Sequence, residues 1–287
     1  MRHMILATPR DFPAIDFGVE ERTMLFRQIV FYSLFIGLLA GSVLTVVQTW
    51  QVVPIIQGAE FYEGAAEPAL VPFRDGHGHS HSHAAADAGG EETWAPADGF
   101  ERTAFTLLSN VLTAVGFSLV ILAAMVATLK LRRNGAAGLD WRYGLIWGAA
   151  GYTVFWLAPA LGLPPEIPLA AAAPLEDRQL WWIFAVLCTA AGLAGLAFGK
   201  SPWRWAALLL LVVPHLIGAP HPEGTMFAEQ PPEAAAALEA LAQQFIGATA
   251  IANAALWIVL GLAGGWALRR MLKSTEETSS HFKSHSF

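Results

Sequence analysis

Six stretches of the chain are almost purely apolar, at about 29–50, 104–129, 143–161, 181–198, 204–218 and 245–268. A helix needs roughly 20 such residues to cross a hydrocarbon layer about 30 Å thick, and in lipid every backbone N–H must be satisfied within the segment. No Lys, Arg, Asp or Glu lies well inside any of the six. Composition agrees, with 55% hydrophobic and only 14% charged residues, against about a quarter charged in soluble chains. The pattern predicts an all-α fold: a polytopic membrane helix bundle of six transmembrane helices around one long polar loop. The fifth run is short and contains Pro214, which suits a thin or kinked crossing or a re-entrant segment.

Arg22 and Arg27 precede the first run, as in a signal peptide, but the run ends in Val47-Gln48-Thr49-Trp50 rather than a small-x-small cleavage site. It reads as a retained span. Residues 1–23 read as a poorly ordered tail or an upstream extension, 24–270 as one transmembrane domain with an outer loop over 51–103, and 271–287 as a second tail.

Topology follows from the positive-inside rule. With the N-terminus in the cytoplasm and six crossings, 14 of the 17 basic residues lie inside, and only Arg74, Arg102 and Arg178 lie outside. The carboxylates fall the other way: the outer loops carry 16 of the 23, among them Glu166, Asp177 and Glu223. Both termini are expected in the cytoplasm of a bacterial inner membrane, beneath an electronegative outer face that concentrates cations.

The polar loop contains His77, His79, His81 and His83, separated by single Gly or Ser residues. Imidazole is the commonest protein ligand for borderline divalent metals, and an extended segment puts alternate side chains on one side. The plainer reading is a solvated, His-rich linker. On the topology above, the tract faces the periplasm.

Four spans carry Gly-x-x-x-Gly pairs: Gly37/Gly41, Gly144/Gly148, Gly195/Gly199 and Gly261/Gly265. Such pairs let helix backbones approach closely, so a compact bundle is expected, and self-association remains open. The polar exceptions inside the runs are Gln48, Asn110, His215 and Asn253. Interhelical hydrogen bonding is the expectation for Gln48, Asn110 and Asn253. His215 lies in Pro214-His215-Leu216-Ile217-Gly218-Ala219-Pro220-His221-Pro222-Glu223, where prolines free backbone carbonyls beside two imidazoles. A metal role and a structural hydrogen-bonding role both fit His215 and His221. Met226 is a conceivable soft ligand, although a lone Met more often only packs. Cys188 reads as a small buried apolar residue.

The formal charge of −6 argues against a nucleic-acid partner. There is no Gly-x-x-x-x-Gly-Lys-Ser/Thr loop for ATP, no His-Glu-x-x-His and no Gly-x-Ser-x-Gly, so no enzyme is expected.

The order of several motifs resembles the CbtA family of proposed cobalt transporter subunits. They are Phe26-Arg27-Gln28-Ile29-Val30; Gly37-Leu38-Leu39-Ala40-Gly41 with Gln48; and Trp94-Ala95-Pro96-Ala97-Asp98-Gly99-Phe100-Glu101-Arg102. Next come Leu161-Gly162-Leu163-Pro164-Pro165-Glu166-Ile167-Pro168, Arg178-Gln179 with Trp181-Trp182, and Pro214-His215-Leu216-Ile217-Gly218-Ala219-Pro220. The resemblance implies cobalt supply for cobalamin synthesis and a small single-span, His-containing partner of the CbtB type. Members of the family are often described with five spans, one fewer than the six read here.

These readings combine into an inner-membrane subunit for uptake of a divalent transition metal. Cobalt is favoured, with nickel or zinc also compatible with imidazole ligands. The tract at His77, His79, His81 and His83 would capture the ion, and Glu166, His215 and His221 would receive it at the outer mouth of the bundle. One rival is a non-transporting metal-binding or scaffold subunit of a larger membrane complex. The other is an outer-face enzyme using Glu166, Asp177 or His215 as acid or base.

Overall fold

The computed structural model describes residues 19–66, 96–97, 99–129, 139–200 and 202–284. The His tract at 77–83 lies outside these residues. Among the described residues all regular structure is helical.

The chain begins with α1, Val19–Val47, which passes through a π-helical turn at Gln48–Val52 into α2, Val53–Ala66. Pro54 explains the turn: it has no N–H for the Trp50 carbonyl, and its ring would clash there in a regular helix. The backbone widens, and Val53 N–H bonds the Gln48 carbonyl five residues back. The same device recurs after α4, Trp141–Tyr152, where the π turn Thr153–Leu157 precedes Pro159 in α5, Ala158–Gly162. There Ala158 N–H bonds the Thr153 carbonyl.

The remaining helices are α3, Phe100–Leu129; α6, Leu175–Phe198; α7, Trp203–Ile217; and α8, Pro232–Ser284. Among the described residues, five segments are long and apolar enough to cross a membrane: Thr23–Glu63, Phe100–Leu129, Trp141–Gly162, Leu175–Phe198 and Pro232–Ser274. α7 is only 15 residues, about 22 Å. It nevertheless returns the chain along α6. Gly192 faces Leu211, Gly195 faces Ala207, and Trp181 near the start of α6 meets His215 near the end of α7. The bundle therefore makes six passes, one of them short, and brings the early part of α1 against the later part of α8, where Gln28 Nε2 donates to Ser274 Oγ at 2.9 Å.

The first polar loop is shorter than the sequence pattern suggests, because the helix continues beyond Trp50 to Ala66. At 41 residues, Thr23–Glu63 is about 60 Å long, and α8, with 53 residues, is about 80 Å long. Both outrun a hydrocarbon core of about 30 Å. At one end they meet beyond it in a small apolar cap, with Ala59 of α2, Leu238 and Ala242 of α8, and the loop residues Ile167 and Phe227 all buried.

The main core is built on α8. Ile36, Ala40 and Leu44 of α1, Leu122 and Met125 of α3, and Leu256, Leu260 and Leu268 of α8 are almost wholly buried. Gly-x-x-x-Gly faces supply the close approaches. A Cβ at Gly41 would lie 2.5 Å from Val111 Cα of α3, and one at Gly261 would lie 2.8 Å from Gly148 Cα of α4. With Gly192 and Gly195 against α7, these small-residue faces are consumed within the chain. Outward lie large apolar side chains such as Phe31, Phe35, Leu112 and Leu209, as lipid contact requires.

Polar pairing inside the bundle differs from expectation at one position. Asn110 Nδ2 on α3 donates to Gln48 Oε1 at 2.6 Å and to Thr45 Oγ1 at 3.0 Å, joining α3 to the end of α1. Asn253 bonds within α8 instead, to the Thr249 carbonyl at 3.0 Å. Asn110→Leu should cost about 1–2 kcal/mol, the value of one or two such bonds in a membrane. Unfolding in mixed micelles would read this, with Asn253→Leu as the comparison expected to cost less.

Candidate functional site at the capped end

The site residues gather where α5, α6 and α7 meet the cap. Pro164 and Pro165 end the helix after Gly162, and buried Ile167 anchors the loop that follows. A backbone bond from Ala171 N–H to the Met226 carbonyl at 2.8 Å ties this loop to the one after α7. Leu169 adopts a left-handed conformation, φ 68°, and packs against the cap. A leucine there carries backbone strain that only its surroundings can hold.

Glu166, one residue before the anchor, accepts from Arg178 Nη2 at 2.8 Å, and the two side chains are only 19% and 27% exposed. Arg178 sits in the first turn of α6 beside Glu176 and Asp177, and its Nε is buried without a partner. Three residues further on, and so on the same helix face, Trp181 is buried with its Nε1 unpaired. Its ring meets His215 edge-on, centroids 6.0 Å apart. This approach requires Gly162, since a Cβ there would lie 2.6 Å from Trp181 Cζ2 and 3.3 Å from Ala219 Cβ. Pro214, fully buried, fixes the last turn of α7, and Gly218 at φ 86° turns the chain away. His221 lies beyond that turn and is exposed. A shallow cavity of about 410 Å³, lined by Leu163, Leu175, Arg178, Gln179, Trp182 and Ile183, opens beside Arg178.

Glu166 and His215 therefore border one edge of α6, through Arg178 and Trp181 respectively, while His221 stands apart. Among the described residues, no three His, Cys, Asp or Glu side chains are gathered closely enough to hold a metal ion. Sequence reading placed the two intermediaries, Arg178 and Trp181, in a motif of the family but gave neither a role at the site. Their spacing of three residues, one beside the Glu166 carboxylate and one beside the His215 imidazole, was the available signal.

The same end receives the His-bearing connection. α2 leads into it at Ala66, and α3 follows it at Phe100. The two helices are clamped by Arg102 Nη2 to Glu60 Oε1 at 2.8 Å, close to the cap residue Ala59.

Six passes of apolar helix, closed by small-residue faces and carrying a polar, proline-bounded mouth at one end, define a polytopic membrane protein. The chain belongs to the family described as probable cobalt transporter subunit (CbtA), whose match covers residues 26–269. No curated protein and no solved structure matches it.

Proposed function

We propose that this chain is the membrane-embedded subunit of an uptake system for a divalent transition metal, cobalt destined for cobalamin synthesis. The tract at His77, His79, His81 and His83 captures the ion outside the inner membrane and delivers it to Glu166, His215 and His221. A single-span, CbtB-type subunit completes the system.

One observation carries the reading: the connection bearing the four histidines leaves and rejoins the bundle at the end that holds Glu166 and His215. Charge supports the orientation. Arg142, Lys200, Arg204, Arg269, Arg270 and Lys273 all belong to the opposite end, as the positive-inside rule asks of a cytoplasmic face.

In this reading Arg178 is a positioning residue. It holds the Glu166 carboxylate while no metal is present and keeps a half-buried charge from standing unpaired. An arriving dication competes with the guanidinium for the carboxylate. His215, which borders the same edge of α6 through Trp181, then supplies an imidazole nitrogen, and freed Arg178 swings toward Glu176 and Asp177.

Uptake of Co²⁺, Ni²⁺ and Zn²⁺ into proteoliposomes, with and without a CbtB-type subunit, tests the proposal against a His215→Ala/His221→Ala variant. Selective uptake that the variant loses supports transport. No flux under any gradient, with metal still bound outside, leaves a non-transporting metal-binding or scaffold subunit. Deleting residues 77–83 should raise the metal concentration for half-maximal uptake about tenfold while leaving flux at saturation, as expected for a capture element outside the pathway. Complete loss of flux would contradict that role.

A further inference from the structure

A cavity of about 760 Å³ opens between α3, α4 and α6, in the half of the bundle away from the cap. It arises because the α4 face carrying Gly144 and Gly148 is spent on α8. Tyr143, Ile146 and Trp147 of α4 line it on one side, and α6 contributes the small residues Ala190, Ala194 and Ala197.

The walls are almost entirely apolar, and the groove has a definite length. On α3 it runs from Phe117 to Thr128, about 17 Å along the helix. That is close to half of a hydrocarbon core about 30 Å thick. Its inner end is closed near mid-bundle by three rings: Phe117 lies 4.9 Å from Phe155 and 5.0 Å from Trp257, and Phe155 stacks on Trp257 at 5.5 Å.

The open end changes character. Thr128 and Tyr143 place two hydroxyls 3.4 Å apart there. Next in the chain to Tyr143 is exposed Arg142, whose guanidinium lies 5.6 Å over the half-exposed Trp141 ring. Exposed Lys200 follows two residues after Phe198, the last groove residue of α6.

We infer that this groove binds one anionic phospholipid of the leaflet at the terminal end. An acyl chain fills the space up to the aromatic stop, and the phosphate sits between Arg142, Lys200 and the two hydroxyls. A spanning partner helix does not fit, since it needs the full depth of the membrane and the groove gives half. Basic residues at the mouth of an interhelical pocket select a negatively charged headgroup. The inference is independent of metal transport, so its failure leaves the proposed function standing.

Native mass spectrometry of the delipidated full chain, titrated with phosphatidylglycerol or phosphatidylcholine, tests it. Wild type should bind one phosphatidylglycerol about tenfold more tightly than phosphatidylcholine. Arg142→Gln/Lys200→Gln should remove that preference. Ala190→Trp/Ala194→Trp should displace the lipid, while Leu209→Trp on the exposed face of α7 should not. Should the filled variant fail to fold, quenching by brominated phosphatidylglycerol gives a second reading, because Trp147→Phe should lose the quenching specific to the anionic lipid. Equal affinity for both lipids, unchanged binding in the folded filled variant, or unchanged quenching in Trp147→Phe would overturn the inference. So would a filled variant that releases a partner helix but keeps its lipid.

Discussion

Gly261→Leu is expected to leave no correctly assembled bundle. At this crossing α8 presents Gly261 and Gly265 to Gly144 and Gly148 of α4, so that backbone meets backbone. A Cβ at Gly261 would fall 2.8 Å from Gly148 Cα and 2.9 Å from its nitrogen, and one at Gly265 would fall 3.0 Å from Gly144 Cα. No flexible side chain can yield there, so a leucine must part the helices. Overpacking alone costs about 3 kcal/mol, and the dispersion contacts along the separated interface are lost as well. In lipid no hydrophobic drive exists to close the gap again. Gly247 on the same helix is the control, because a Cβ there meets nothing within 4 Å. Gly247→Leu should be neutral or stabilise by up to about 1 kcal/mol through helix propensity. Size-exclusion profiles and thermal midpoints in detergent separate the two. Equal behaviour would mean that this crossing does not hold the fold together.

The second large effect belongs to the capped end and rests on opposite signs. Glu166→Gln should weaken divalent-metal binding at least about tenfold, as loss of a charged ligand does. Arg178→Gln should strengthen it by about the same factor, because a cation 2.8 Å from the carboxylate competes directly with the incoming ion. Calorimetric titration with Co²⁺ on protein lacking residues 77–83 removes the His tract from the readout. Both variants should also lose about 1–2 kcal/mol of stability, since each leaves a partly buried charge or donor without its partner. If both weaken binding, the ion pair is a structural tie between loop and helix, and Glu166 is not a ligand.

The number of membrane passes, the small-residue faces and an interhelical hydrogen-bonding role for Gln48 and Asn110 were legible in the sequence, though not that the two pair with each other. They depend on what each segment can tolerate as solvent: a long apolar run excludes water, and glycines four apart make a flat stripe whatever lies opposite. Even the doubtful fifth run was visible as short. Its pairing with the last eighteen residues of α6, which turns a short helix into a full return, was not.

Choice of partner belongs to the tertiary structure. An apolar face is equally satisfied by lipid or by another helix, so composition cannot say that Gly144 and Gly148 face α8, leaving Tyr143, Ile146 and Trp147 to line the cavity. Local sequence also gave no sign that the helix after Trp50 would continue to Ala66, because its stability comes from Ala59 packing against Leu238 and Phe227, far along the chain. At the mouth of the bundle, sequence offered candidates, a carboxylate at Glu166 and imidazoles at His215 and His221. Only the fold decided that Arg178 stands beside Glu166 and Trp181 beside His215, while His221 stands apart, because a charge is neutralised by whichever partner three-dimensional packing brings within reach.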